Sequence, residues 1–108
     1  MTRFSLTLPA INQTIHMHAH SYLIVVESGK RNFSAYSPDV SGCVTTGKTL
    51  DETLAHMREA LTFHLEDEDT VPEPKGLEYH LRHDAELRDG RFIFAHIPVE
   101  EVAPLALA

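Results

Sequence analysis

The sequence predicts an α+β fold: a small antiparallel sheet of three to four strands with one main helix packed on one face. Three observations carry this. Several short runs alternate apolar and polar residues, one long stretch repeats its apolar residues at helical spacing, and a further β-prone run follows that stretch. The expected order is β-β-β-α-β, with an extra N-terminal strand ahead of it.

Phe4, Leu6 and Leu8 alternate with Ser5 and Thr7, which is the period of a half-buried strand. Residues 9–13 read as a turn. The alternation then resumes with Ile15, Met17 and Ala19 on one side and His16, His18 and His20 on the other. It runs into Tyr22, Leu23, Ile24, Val25 and Val26, a series of aromatic and branched side chains suited to a strand buried on both faces. Ser28, Gly29, Lys30 and Arg31 break the strand, and residues 32–37 alternate again, so an antiparallel hairpin is expected. A second break at residues 38–42 leads to Cys43, Val44, Thr45 and Thr46, a third short strand.

The helix starts at Thr49. Thr49 and Glu52 form the T-x-x-E pair in which the threonine oxygen accepts an orphan backbone N–H and the glutamate reaches back toward the cap. Leu50, Leu54, Met57, Leu61 and Leu65 make an apolar stripe at spacings of three and four. Asp51 and Glu52 suit the positive end of the helix dipole, whereas Glu66, Asp67, Glu68 and Asp69 lie at the end that disfavours carboxylates, so the helix should fray there. Pro72 and Pro74 forbid its continuation. Residues 75–90 are polar and mixed in charge, with one helical turn expected around 84–87. Residues 92–99 form the last strand, led in by Gly90.

A chain of 108 residues fits one domain, residues 1–108, divided into an N-terminal strand extension (1–21), a core (22–99) and a tail (100–108). The formal net charge of -7 disfavours direct contact with nucleic acid and favours a basic protein partner. One cysteine cannot make an internal disulfide, and the N-terminus lacks the apolar block of a signal peptide. A cytoplasmic location is expected, with no membrane span.

From Ser37 to Leu54 the chain resembles the HicB-type antitoxin family. The matching pattern is a strand ending in Pro38 and Asp39, a turn through Gly42 and Cys43, a threonine strand ending at Gly47, and a helix capped by Thr49 and opening with Asp51 and Glu52. Arg58, Glu59, Ala60 and Leu61, the later Val71, Pro72, Glu73 and Pro74, and Asp89 with Gly90 fit the same pattern, so the similarity covers about residues 22–99. The resemblance implies a partial ribonuclease H-like sheet that binds and masks a small HicA-like toxin. Toxins of that family look like double-stranded RNA-binding domains, cut messenger RNA with a histidine and are typically basic. Members commonly add a helix-turn-helix or ribbon-helix-helix segment. Two average helices need roughly 22 residues, and only residues 100–108 follow the last strand, so no DNA-binding segment and no autorepression are expected.

Gly42, Gly47, Thr49 and Glu52 are read as the structural part of this motif. The expected partner-binding residues are Tyr36, Pro38 and Asp39 at a strand end, and the acid run Glu66, Asp67, Glu68 and Asp69. No catalytic residue, metal or cofactor is expected. His16, His18 and His20 point the same way on a strand and could present three imidazoles to a metal, but the sequence offers no fourth ligand, and a solvent-facing strand surface explains them equally. They leave an alternative open, a stand-alone oligomeric domain that binds a ligand or metal and has no toxin. Asp39, Asp51 and Glu52 do not suit a two-metal nuclease, since Asp51 and Glu52 are adjacent on a helix and point apart. Cys43 has no nearby cation to activate it and reads as a packed small hydrophobe. Finally, Phe92, Ile93, Phe94 and Ala95 are too apolar for an uncovered sheet edge, so a homo-oligomer, dimer or higher, is expected.

Overall fold

The computed structural model describes residues 20–103. The predicted N-terminal strand at residues 4–8 and the positions of His16 and His18 lie outside them. Strand β1 (Ser21–Ser28) carries the buried run of the sequence: its five residues from Tyr22 to Val26 are 0–1% exposed. Tyr22, Ile24 and Val26 face one side of the sheet, Leu23 and Val25 the other, as strand geometry requires. A turn in which Gly29 N donates to Asn32 O at 2.7 Å returns the chain into β2 (Phe33–Tyr36). Strand β3 (Val44–Gly47) follows after the break at residues 37–43, and β4 (Phe92–Pro98) closes the sheet.

All pairings are antiparallel and the strand order is β3-β2-β1-β4. The two partners of β1 cover it unequally. Strand β4 pairs along β1 from Ser21 to Glu27, whereas β2 reaches only from Val25 to Ser28. Among the described residues the first half of β1 therefore has one side with no strand beside it.

Helix α1 (Leu50–Glu66) lies across one face. Its N-cap is the predicted one: Thr49 Oγ1 accepts from Glu52 N at 3.0 Å, while Glu52 Oε1 accepts from Lys48 N, one residue before the cap. Thr53, Met57, Leu61 and Leu65 are buried, with Leu50 and Leu54 only partly so. The centre of the stripe is shifted toward Thr53 because of Gly47. A Cβ at Gly47 would stand 2.5 Å from Thr53 Oγ1 and 2.7 Å from its backbone nitrogen, so only glycine lets helix and strand approach this closely. Thr53 satisfies its buried hydroxyl by donating to Thr49 O at 2.7 Å.

Segment 75–90, which has no clear pattern in the sequence, forms helix α2 (Leu77–His83) and a 3-10 turn (Ala85–Arg88). These pack on the face opposite α1, where Leu77, Leu81 and Leu87 meet Leu23, Val25, Tyr36, Phe92 and Phe94. Both faces of the central strand are thus covered. The segment is hard to read because three leucines carry its packing while most of its other side chains stay in water. Beyond β4, a single helical turn, α3 (Val99–Val102), buries Val99 and Val102 in the α1-side core.

Candidate partner-binding surface

The turn between β2 and β3 holds Asp39, whose side chain is 0% exposed. Its Oδ2 accepts from Leu23 N at 3.3 Å, on the half of β1 that β2 does not reach. Its Oδ1 accepts from Lys75 N at 3.0 Å and from His80 Nε2 at 2.8 Å, a contact that assigns the ring proton to Nε2. One carboxylate therefore replaces a missing strand partner and ties three segments together: β1, the approach to α2, and α2 itself. Beside it Tyr22 donates its hydroxyl to Pro72 O at 2.7 Å. Burial, and then the negative charge of Asp39, push the Tyr22 hydroxyl up to about 12.

Asp39 consequently positions the turn from inside, and its carboxylate offers nothing to a partner at the surface. Its neighbours fare differently. Pro38 is half-buried. Tyr36 is half-buried on the α2 side, with its hydroxyl raised first by burial and then by Asp84, Glu86 and Glu27. The turn also packs beside the last turns of α1, since Val40 and Cys43 share a core with Leu61 and Leu65, and a Cβ on Gly42 would lie 3.9 Å from His64 Cε1. Gly42 has φ +82°, a left-handed value that favours glycine.

The acid run is placed as a surface. Helix α1 ends at Glu66, and Glu66, Asp67, Glu68 and Asp69 are all exposed, with Glu68 3.9 Å from His64. Next to them on the helix lies Phe63, 72% exposed, a residue that the sequence reading passed over. A signal for it existed: Phe63 stands two residues after Leu61, roughly 200° around the helix from the buried stripe. His80 was also missed, and no local pattern announces a partner 41 positions away.

Catalytic geometry is not assembled from the acidic candidates. Asp39 is enclosed, whereas Asp51 and Glu52 are exposed at the start of α1, Glu52 serving the cap. Burial pushes the Cys43 thiol up, away from the thiolate a nucleophile needs. Among the described residues no group of three or more His, Cys, Asp or Glu is placed to hold a metal, and His20 is exposed. No helix among them is long and apolar enough to cross a membrane.

A four-stranded antiparallel sheet with a capped helix behind the β3 glycine, and an enclosed aspartate in the preceding turn, defines an α+β domain. Residues 22–106 match the family described as HicB-like antitoxin of bacterial toxin-antitoxin system, and the chain belongs to that family. Over 64 residues it is 33% identical to an uncharacterized 14.9 kDa protein in the rep-hol intergenic region of Haemophilus phage HP1 (strain HP1c1), covering 56% of this chain and 48% of that protein. The chain thus spans about half the length of this curated relative. Among solved structures, the antitoxin HicB3 superposes with a TM-score of 0.64 at 21% identity, over 77% of this chain and 64% of the other. A chain from a HicA3 and HicB3 toxin-antitoxin complex superposes with a TM-score of 0.56 at 25% identity, over 70% and 93%.

Two predictions follow from the Asp39 contacts. Replacing Asp39 by alanine strands the buried Leu23 N–H and the His80 ring and frees the exposed Lys75 N–H, and should cost roughly 2–3 kcal/mol in urea unfolding. The second concerns alkali. The unfolded tyrosine ionises near pH 10 and the folded one only near 12, so the folded state holds more protons in between. The stability Tyr22 contributes is intact below pH 10 and should be lost as the pH rises through about 12, and Tyr22→Phe should flatten that decline in alkaline unfolding curves.

Proposed function

We propose that this protein is an antitoxin that binds a small, basic, HicA-like ribonuclease toxin and masks it by protein contact, with no chemistry of its own. The family match over residues 22–106 carries this reading. The likeness to a chain from a toxin-antitoxin complex supports it, and so does the charge. An excess of seven negative charges, with Glu66, Asp67, Glu68 and Asp69 exposed in one place, suits a surface that nucleic acid would otherwise occupy on the partner. Among the original candidates, this acid run and Pro38 remain the residues for contact, with Tyr36 at the rim of the α2-side packing. The site of action is the cytoplasm, where Cys43 stays reduced.

The same proposal includes self-association through β4. Among the described residues this strand ends the sheet, and from Phe92 to Pro98 it carries no Asp, Glu, Lys or Arg. Ile93 is 40% exposed on it. A seven-residue strand of this kind can pair with a second copy about a two-fold axis. Ile93→Lys should shift sedimentation toward monomer with little change in thermal stability of the isolated fold. An unchanged mass would remove β4 as the contact.

For the masking role, the direct test is association with the small basic protein encoded beside this chain's gene. The expected complex is nanomolar or tighter, on the order of -12 kcal/mol, and its association rate should fall as salt rises from 50 to about 300 mM. Absence of binding at micromolar concentration would remove the antitoxin reading.

A further inference from the structure

We infer that the outward face of α1, centred on Phe63, is the surface that receives the basic partner, and that it takes an arginine side chain. The inference rests on the masking role proposed above and gives it a location. An exposed apolar side chain by itself signifies little. Phe63 differs through its surroundings. At 72% it is the most exposed of the large apolar side chains among the described residues, and it stands in a shallow hollow shared with Arg58, Glu59, Thr62 and Glu66. Glu59 lies four residues before it and Glu66 three after, so both carboxylates share its face of the helix.

The remaining polar groups of the hollow are already engaged. Arg58 Nε donates to Glu101 Oε1 at 3.0 Å, and Thr62 Oγ1 donates to Arg58 O at 2.8 Å. An exposed aromatic ring flanked by two free carboxylates is what remains, and Asp67, Glu68 and Asp69 extend the negative field from the end of the helix. A guanidinium fits this pattern. Its plane stacks on an aromatic ring while its N–H groups reach carboxylates on either side, which an ammonium does less well. An aromatic centre with a polar rim is also the usual anatomy of an interface anchor.

A second copy of this chain is a poorer occupant, because a two-fold contact here would bring two acidic helix ends together in chains of net charge -7. RNA is repelled by the same carboxylates.

The test compares variants for binding the small basic protein encoded beside the gene, by surface plasmon resonance, with circular dichroism as the check on folding. Phe63→Ala should weaken the complex on the order of 30-fold, mainly by faster dissociation, with an unchanged melting curve. Glu59→Lys combined with Glu66→Lys should slow association and flatten its dependence on salt. Val44→Thr, which alters another strongly exposed apolar residue, at 65%, on β3, should leave binding as it was. Wild-type binding with an equal affinity for Phe63→Ala would overturn this surface and leave the masking role standing. No binding by the wild type would remove the role and the surface together. A change in sedimentation of the free chain on Phe63→Ala, without loss of partner affinity, would assign the face to a second copy and overturn the inference.

Discussion

Strand β1 lies between β2 and β4 and is packed on both faces, and among the described residues half of one edge of it has no strand to pair with. The buried carboxylate of Asp39 resolves this. It takes the Leu23 N–H that a longer β2 would have taken, and with its other oxygen holds the Lys75 N–H and His80. Such a group is costly to enclose unless each oxygen has donors, and here three donors converge on it. Because those donors come from β1, from the approach to α2 and from α2, the interaction decides how the second face of the sheet is covered. Tyr22 reinforces the arrangement from the α1 side of the sheet by fixing Pro72, so the proline-bearing segment is held at two points within four residues of sequence.

The consequence for function is a division of labour along the chain. The proline-acid turn is a structural device that faces inward, so the proposed contact with a toxin falls to surfaces that the core does not use, the end of α1 among them. Its carboxylates sit where the helix dipole disfavours them by a few tenths to ~1 kcal/mol each, so the fold gains nothing from placing them there. Close approach at Gly47 fixes the helix against β3, which makes α1 a rigid presenter of whatever its outward face carries. A rigid, preorganised face loses less entropy on association than a loop would.

Much of this was legible in the sequence, for reasons that differ by element. The central strand could be read because five consecutive apolar residues leave no polar face, and α1 because its cap and its stripe agree about where it begins. The α1-side core was recovered in part: Val40 and Val102 come from segments read as a break and a tail, and the burial of Thr53 depends on the absence of a side chain at Gly47 rather than on its own polarity. Segment 77–88 was not legible, because its packing rests on Leu77, Leu81 and Leu87 among charged neighbours, a pattern too sparse to separate from a surface loop. The inward role of Asp39 was likewise hidden. A carboxylate reads as exposed unless its partners are known, and these come from 16, 36 and 41 positions away. The end of α1 at the acid run was legible because carboxylates oppose the helix dipole there and two prolines follow.

In the proposed role the chain occupies its toxin partner mole for mole. The most direct check is to titrate it into a small basic HicA-like ribonuclease, if one is encoded beside its gene, while following RNA cleavage. Cleavage should fall in a straight line and stop at a fixed whole-number ratio of the two chains, then return when the complex is dissociated in high salt. Loss of cleavage at a small fraction of that ratio, or full cleavage with the chain in excess, would contradict it.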